Sequence, residues 1–331
     1  MSGEDSSIPR SELEALVRIY NPNPEMLSVG KRLVKLENIR ADTIDTISRR
    51  GAYVTIGGRF VTSFHNESSD KDFDKIDFGQ YIRDGDGYAI RVMGTRDEDA
   101  KMKLETTIGS AIRRQHSGAK ARLSDPDILF WGRVHLDRIY LGCTRYWAQK
   151  KGWNQRRGRS KPFFHASALY PKFARALVNL TMVRERDMIL DPFCGTGTII
   201  QEASMMNIEA IGLDLEKRMC SGASRNLKSM DLKKTSIVRS DSTLLPMKSA
   251  DGIATDLPYG RCSSTKGKTL SRILDSFLLE MCRVLAPGKK GTIVYPKGVD
   301  LILPSDLVMT QTHEIVVHRH LTRVVAVLER R

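Results

Sequence analysis

The chain has 331 residues, of which 40% are hydrophobic and 28% charged, and its formal net charge at pH 7 is +14. This balance is typical of a globular protein with two or three domains, and it excludes a disordered chain. No apolar run reaches the roughly 18 to 20 residues of a membrane span, and the polar N-terminus lacks a signal-peptide core. We therefore expect no membrane partner and a cytoplasmic location, and the positive charge favours a polyanionic partner.

The N-terminal half contains two short sets of predicted helices and strands. A helix at 11–20, a strand at 32–37, a helix at 40–50 and one or two strands within 53–64 form the first α+β unit, placed at residues 1–65. A strand at 88–93, a helix at 98–115 and a hairpin at 128–143 form the second unit, placed at residues 66–147.

A basic tract follows, in which no acidic residue lies between Asp137 and Glu185 while cations alternate with aromatic rings. Cations bind phosphates and flat rings stack on bases, so the tract is predicted to bind nucleic acid. Residues 148–165 are placed as a basic linker between the domains. The alternative to nucleic-acid binding is that the rings of this linker pack into the two flanking cores. The predicted RNA-binding residues are Arg145, Lys150, Lys151, Arg156, Arg157, Arg159 and Lys161.

From about residue 163 the pattern changes to strands alternating with helices, which predicts a mainly parallel sheet covered on both faces, placed at residues 166–331. Buried strands are predicted at 188–190, 210–213, 237–238, 252–255 and 291–295. Two further strands, at 314–318 and 324–328, form a terminal hairpin. Rossmann-type methyltransferases have such a hairpin, and dinucleotide dehydrogenases usually lack it.

A glycine-bearing turn follows the first of these strands, in the run D-P-F-C-G-T-G-T that begins at Asp191. Glycines let a ligand approach the backbone, and the start of a helix offers free N–H groups. The dinucleotide pattern is broken, because Ile200 stands where a third glycine would be. The run is similar to the first motif of S-adenosylmethionine-dependent amino-methyltransferases. The predicted cofactor residues here are Asp191, Pro192, Phe193, Cys194, Gly195, Gly197 and Thr198.

Two further carboxylates end the next two strands. Asp214, followed by Leu215, is placed to accept the hydroxyls of a ribose, and Asp241, followed by Ser242, is placed to accept an adenine amino group. Either aspartate alone would be an ordinary surface residue. Together, after the glycine turn, they predict one nucleoside ligand at the carboxyl edge of the sheet.

The fourth strand leads into D-L-P-Y, residues Asp256, Leu257, Pro258 and Tyr259, which are the predicted catalytic residues. The run resembles the D-P-P-Y motif of enzymes that methylate exocyclic amino groups. The lone pair of such an amino group is delocalised into the ring. A carboxylate and a backbone carbonyl can accept its two N–H groups and stabilise the positive charge that develops. An aromatic ring can stack on the extruded base.

The segment 161–180, the two runs above and residues 318–323 together resemble the archaeal THUMP-domain tRNA (guanine-10-N2) methyltransferase family. Residues 124–131 and the hairpin after them are similar to the end of a THUMP domain. The resemblance implies a Rossmann-like class I methyltransferase with a seven-stranded sheet and terminal antiparallel hairpin, preceded by an α+β ferredoxin-like and THUMP region. It implies S-adenosyl-L-methionine as cofactor, tRNA as partner, and N2-methyl- or N2,N2-dimethylguanosine as product, at position 10.

Other functions stay open at this stage. They are methylation of another RNA guanosine, in the acceptor stem or in ribosomal RNA, an amino-methyltransferase for DNA, and a non-catalytic RNA-binding or chaperone protein. The family resemblance implies a monomer, and a small activating partner subunit stays open.

The sequence departs from the family in two places. Leu257 replaces the commoner proline, and the chain begins at Met1 without the family's first strand, from which we expect a missing strand or a misassigned start. No metal is expected, because the five cysteines lack a C-x-x-C spacing and no ligand set accompanies the histidines. Cys194, His313, His318 and His320 are expected to have packing or surface roles, and His165 is left undecided.

Overall fold

A computed structural model of the chain describes residues 7–21, 25–30, 32–65, 70–145, 152–258 and 270–331. The chain divides into two compact units. Of the described residues, those within 25–49 and 55–145 form the first unit, and those within 7–21, 50–54 and 152–331 form the second. No helix among the described residues is long and apolar enough to cross a membrane.

The first unit has a five-stranded sheet in the order β3-β7-β6-β4-β5 and a separate hairpin of β1 and β2. Phe73, Phe78, Ile108 and Phe130 are among the side chains of its core. The elements are β1 (Glu25–Gly30), β2 (Leu33–Glu37), α2 (Ala41–Arg50), β3 (Arg59–His65), α3 (Asp70–Asp74), β4 (Gly87–Met93), α4 (Glu98–Gln115), β5 (Lys120–Ala121), β6 (Ile128–His135) and β7 (Arg138–Thr144), with the end of α2 passing into the second unit.

The second unit is built on a seven-stranded sheet in the order β10-β9-β8-β11-β12-β14-β13. All neighbours are parallel except the pairs of β14 with β12 and β13, so the sheet ends in an antiparallel hairpin as predicted. The elements are α1 (Ile8–Tyr20), α5 (Pro171–Leu180), β8 (Met188–Asp191), α6 (Thr198–Ser204), β9 (Glu209–Asp214), α7 (Lys217–Lys228), β10 (Thr235–Arg239), β11 (Ala250–Asp256), α8 (Leu270–Val284), β12 (Leu285–Pro296), β13 (Leu307–His318) and β14 (Leu321–Arg330).

Alternate residues of the buried strands supply two hydrophobic cores, one on each face of this sheet. Val325 and Val327 of β14 pack with α5, while Ala326 and Leu328 pack with α8. A strand that is buried on both faces needs a continuous apolar run, which explains why these strands were recognisable in the sequence.

The helix α1 belongs to the second unit, whereas the predicted division placed all of residues 1–65 in one unit. The reason is a buried carboxylate. Glu12 is fully buried and accepts hydrogen bonds from the backbone N–H groups of Ala52 (2.6 Å) and Tyr53 (2.7 Å) and from the side chain of Asn179 on α5 (2.6 Å). These bonds satisfy the charge where water cannot reach it, and they attach the first helix to the sheet unit.

Most predicted elements are present, the short α3 and β5 were not predicted, and three further differences concern the N-terminal part of the chain. The first helix begins at Ile8 rather than at residue 11, because Pro9 fits the first turn of a helix, where its missing N–H costs nothing. Only Arg59–His65 is a strand within 53–64, and β1 was not predicted. Residues 25–30 form a short strand that pairs with β2, and their polar and apolar side chains do not alternate. The sequence pattern therefore did not indicate this strand.

Candidate active site

A cleft of about 1120 Å³ lies in the second unit, at the carboxyl ends of the parallel strands. Four aspartates line it from adjacent strands: Asp241 follows β10, Asp214 ends β9, Asp191 ends β8 and Asp256 ends β11. The order of the strands reverses between β8 and β11, and ligands of open α/β sheets bind at such a switch point. The structure therefore brings together the four aspartates that the sequence predicted separately.

The glycine turn between β8 and α6 forms the floor of the cleft. Gly195 and Gly197 have φ angles of 50° and 80°, in the left-handed region that favours glycine. A Cβ atom added at Gly195 would stand in open space within the cleft, so the missing side chain leaves room for a ligand. Pro192, Phe193 and Thr198 line the same floor.

Asp191 is the most buried of the four carboxylates, with 1% of its surface exposed. Its Oδ1 accepts hydrogen bonds from the Thr255 hydroxyl (2.7 Å) and from the N–H of Phe193 (3.2 Å). Burial nevertheless raises the pKa of Asp191 to about 7, because desolvation disfavours the charged form and Asp256 and Asp214 add repulsion. A cation in the cleft would relieve this cost.

Asp214 and Asp241 hold their own turns. Asp214 accepts the N–H groups of Gly195 (3.0 Å) and Glu216 (2.8 Å), so it connects β9 to the glycine turn. Burial raises its pKa above the ordinary value, against the two hydrogen bonds. Asp241 accepts both the N–H and the hydroxyl of Thr243. Leu215 and Ser242 line the cleft beside them, as predicted for cofactor-binding positions, and Cys194 lines it with its thiol almost fully buried.

The turn after β11 places Asp256 and Pro258 in the lining of the cleft. The N–H of Leu257 donates a hydrogen bond to the carbonyl of Val294 on β12 (3.0 Å), and its side chain is 2% exposed in the core beneath. A proline at 257 could not donate this bond, so leucine is suited to a turn that is held by the neighbouring strand. Tyr259 lies outside the described residues.

Two of the predicted RNA-binding cations are turned into the protein. Arg156 shares the fully buried Glu202 of α6 with Arg175, at 2.8 Å and 2.9 Å, and its guanidinium lies 4.9 Å from the ring of Trp153. Lys161 donates to the hydroxyl of Thr198 (3.0 Å), and burial lowers its pKa to about 8. Both side chains hold α6, the helix that begins in the glycine turn.

The other cations of the tract have different positions. Arg157 and Arg159 are exposed and lie over the rings of Tyr170 (4.8 Å) and Phe164 (6.0 Å). Arg145 is in the first unit and pairs with Asp86 at 2.9 Å. Lys150 and Lys151 lie outside the described residues.

Comparisons with known proteins agree with this geometry. The family model of the RMKL-like methyltransferase domain matches residues 157–324, just over half of the chain. The chain belongs to the RMKL-like methyltransferase family.

Relatives extend the match beyond the domain. The tRNA (guanine(10)-N2)-dimethyltransferase of Methanothermobacter thermautotrophicus is 30% identical over 100% of this chain and 98% of its own. The bovine U6 snRNA (guanine-N(2))-methyltransferase THUMPD2 is 29% identical over 65% of this chain and 37% of its own. Among solved structures, TrmN from Thermus thermophilus matches with a TM-score of 0.54 and 19% identity, covering 98% of this chain and 97% of its own, which shows a shared fold.

Several residues that line the cleft of this RMKL-like methyltransferase were not predicted. They belong to residues 166–169 before α5, to Ile273 of α8, to Pro296 at the end of β12 and to the turn between β13 and β14. Their positions depend on distant strand pairing, and the only local signal was the family resemblance of 161–180 and 318–323. His318 and His320, predicted at the surface, are exposed and also line the cleft.

The raised pKa of Asp191 predicts how the stability of the free enzyme depends on pH. Between about pH 4 and pH 7 the folded state holds a proton on Asp191 that the unfolded state, with an ordinary pKa of 3.8, has released. The free energy of unfolding therefore falls as the pH rises through this window. We expect Asp191→Asn to remove this loss and to stabilise the free protein at pH 8 by up to about 4 kcal/mol, since each pKa unit corresponds to about 1.4 kcal/mol.

Thermal unfolding of both proteins at pH 5 and pH 8, without ligand, measures this difference. Asp231→Asn is the matched control, since Asp231 is exposed in the turn after α7 and lies outside the cleft. A variant of Asp191 that is less stable than the wild type at pH 8 would contradict the assignment.

Proposed function

We propose that the protein methylates the exocyclic N2 of a guanosine in tRNA, at position 10, using S-adenosyl-L-methionine as the methyl donor. The observation that carries the proposal is the placement of Asp256 at the switch point of the sheet, one strand from Asp191 and in one cleft with Asp214 and Asp241. The full-length relative from Methanothermobacter supports the substrate. We propose N2-methylguanosine as the first product and N2,N2-dimethylguanosine as the second.

The residues of the cleft fit the proposed cofactor. S-Adenosylmethionine carries a sulfonium that supplies an electrophilic methyl group. The desolvated carboxylates favour a cationic ligand, and the open space at Gly195 leaves room beside the backbone. Asp214 would hold the ribose and Asp241 the adenine amino group, each from the end of its own strand.

The chemistry of the chain's own residues follows from Asp256. Its carboxylate accepts an N–H of the guanine amino group, which makes the nitrogen lone pair more available, and it receives the proton once the new N–C bond has made the nitrogen acidic. A carbonyl of Leu257 or Pro258 accepts the second N–H. The bond from Leu257 to Val294 fixes the turn before the substrate arrives, so little reorganisation remains in the reaction. Tyr259 would stack on the extruded base.

We propose that the exposed arginines of the basic tract, Arg157 and Arg159, contact RNA phosphates. Each lies over an aromatic ring that holds it at the surface. Replacing both with glutamine is expected to weaken tRNA binding and to reduce the slope of log K against log salt by about 0.7 to 0.9 per arginine, because each phosphate contact releases counterions.

Fluorescence titration of tRNA at several salt concentrations measures this slope. The control is the double variant Lys228→Gln, Lys233→Gln, which also removes two positive charges, from exposed positions outside the basic tract. Equal slopes for the double variant and the control would exclude Arg157 and Arg159 from the RNA interface. The predicted THUMP region, the location in the cytoplasm and the monomeric state remain predictions.

The experiment for the function itself uses the purified full chain, labelled S-adenosylmethionine and an unmodified tRNA transcript, with nucleoside mass spectrometry of the product. We expect N2-methylguanosine and its dimethyl form at position 10, and a transcript with adenosine at that position is expected to accept no methyl group there. Methylation of N2 at another guanosine would change the assigned position alone, and absence of N2 products would contradict the proposal.

A second candidate has the same chemistry and a different RNA. The bovine relative is a U6 snRNA guanine-N2 methyltransferase by name, and it is 29% identical over 65% of this chain. Competition between tRNA and other structured RNA transcripts in the same assay distinguishes the two, because kcat/KM is expected to be higher for the true substrate.

A further inference from the structure

The cleft has two chemically different walls. The carboxylates in its lining lie at or just after the carboxyl ends of β8, β9, β10 and β11, at the edge of the parallel sheet. The basic side chains in the described part of the lining, His318, His320 and Arg323, all come from the hairpin of β13 and β14. We call residues 317–323 of this hairpin the basic wall.

The basic wall extends beyond the sheet for a structural reason. The strand β12 ends at Pro296, which pairs with Arg323, while β13 and β14 continue to pair as far as His318 and Leu321. The turn of the hairpin therefore stands past the end of β12, the strand between the hairpin and β11, and its residues line the same cleft as Asp256. The N–H of Lys297 donates to the carbonyl of Thr322 (2.9 Å) and its ammonium pairs with Glu314 (2.8 Å), so the base of the hairpin is held in place.

The side chains of the wall are suited to an anion. The pairing of β13 with β14 shifts register between Val316 and His318, and bulges of this kind redirect side chains at the edges of sheets. The Nδ1 of His318 accepts the N–H of His320 (3.3 Å), so the neutral ring carries its proton on Nε2, which can donate to a phosphate oxygen. Val317 lines the cleft beside them and is 46% exposed, which offers an apolar contact.

The cleft is slightly larger than a typical pocket for one small molecule. A pocket for one small molecule has a volume of about 300 to 1,000 Å³, and this cleft measures about 1120 Å³. A cofactor at the acidic edge would leave the side toward the hairpin open. The separation of charge assigns the cationic ligand to the acidic edge and an anionic one to the basic wall.

We infer that the basic wall is the subsite for the target nucleotide, and that His318, His320 and Arg323 bind the phosphates that flank the base. This inference rests on the proposed function, since it assigns the second occupant of the same cleft. Holding these phosphates beside Asp256 keeps the extruded nucleotide within reach of the carboxylate. The three residues are thus substrate-binding residues that neither the sequence motifs nor the comparisons assign.

The test uses two variants, Arg323→Gln and the double variant His318→Ala, His320→Ala. The histidines are exposed, so their replacement leaves the fold intact even if the half-buried Arg323 proves necessary for stability. We expect kcat/KM for the tRNA transcript to fall about tenfold or more in each, because a hydrogen bond to a charged group is lost. The Kd of S-adenosylhomocysteine is expected to stay within about twofold of the wild type, because cofactor contacts lie at the other edge.

Lys228→Gln is the matched control, since Lys228 is exposed at the end of α7 and outside the cleft, and we expect wild-type kinetics for it. The cofactor carries a carboxylate of its own. If the Kd of S-adenosylhomocysteine rose by the same factor as kcat/KM fell, the basic wall would bind the carboxylate of the cofactor. This result would overturn the inference. Unchanged tRNA kinetics in both variants would also overturn it.

Direct binding separates this inference from the proposed function. The slope of log K against log salt for tRNA binding needs no turnover, and Arg323→Gln is expected to reduce it by about 0.7 to 0.9. If the wild type bound tRNA without forming N2-methylguanosine, the proposed function would be wrong. The slope would still show whether the basic wall contacts RNA. An unchanged slope, together with unchanged affinity in the histidine variant, would show that the wall does not contact RNA.

Discussion

Replacing Asp256 by asparagine is expected to lower the rate of methyl transfer to tRNA by about 10²- to 10⁴-fold, the contribution of a positioned acid–base group. The carboxylate ends β11 and lines the cleft. An amide of the same shape keeps the local packing but cannot take the proton from the methylated nitrogen. The measurement is the single-turnover rate with a saturating cofactor, so that a change in cofactor affinity does not enter.

A catalytic role of Asp256 predicts that Asp256→Asn lowers the rate of methyl transfer while the binding of cofactor and tRNA changes little. We expect the variant to bind S-adenosylhomocysteine and tRNA within a few-fold of the wild type. Asp251→Asn makes the same chemical change at the opposite end of the same strand, and it is expected to retain full activity. A variant of Asp256 with near-normal turnover would remove the residue from the mechanism, and N2 methylation would then need another proton acceptor.

Replacing Glu202 by glutamine is expected to destabilise the protein by about 3 to 5 kcal/mol, because removing one partner of a buried ion pair leaves uncompensated charge. Here one fully buried carboxylate serves two guanidinium groups, those of Arg156 and Arg175, which are 10% and 8% exposed. Gln201 donates to the same carboxylate (3.0 Å). Chemical denaturation at pH 7, followed by the fluorescence of the tryptophans, measures the loss.

Two controls isolate the effect of buried charge in this triad. Glu209→Gln changes an exposed glutamate at the start of β9 and is expected to alter stability by no more than about 0.5 kcal/mol. A triple variant with methionine at 156, 175 and 202 removes all three charges and is expected to recover most of the loss, since apolar groups of similar volume can replace a buried ion network. If the triple variant were less stable than Glu202→Gln, packing rather than charge would be the cause.

The class of fold and the centre of the site could be predicted from the sequence because their signals are local. The strands that end at Asp191, Asp214 and Asp256 contain short apolar runs, and each carboxylate is the last residue of its strand. Parallel strands bring their carboxyl ends to one edge, so identifying the strands was enough to bring the aspartates together. The comparisons confirm the class I methyltransferase fold and the family that the motifs indicated.

The direction of the cations in the basic tract could not be predicted from composition. Arg156 and Arg157 are neighbours of the same type, yet Arg156 is turned toward Glu202 and Arg157 lies exposed over Tyr170. The acid that selects Arg156 lies in α6, 46 residues away in the chain. A count of charges gives the attraction to a polyanion but cannot show which charges are already neutralised inside the protein.

By itself the sequence determined the glycine turn, the four aspartates, the parallel sheet and its terminal hairpin, since each depends on residues that are close together in the chain. The tertiary structure alone decided that α1 packs with the sheet unit through Glu12, and that the hairpin turn joins the cleft. Both depend on contacts between residues far apart in sequence. A buried polar group needs a hydrogen-bond partner because water cannot reach it, and strand register decides which side chains face the cleft. Both depend on the folded structure, so local sequence patterns do not reveal them.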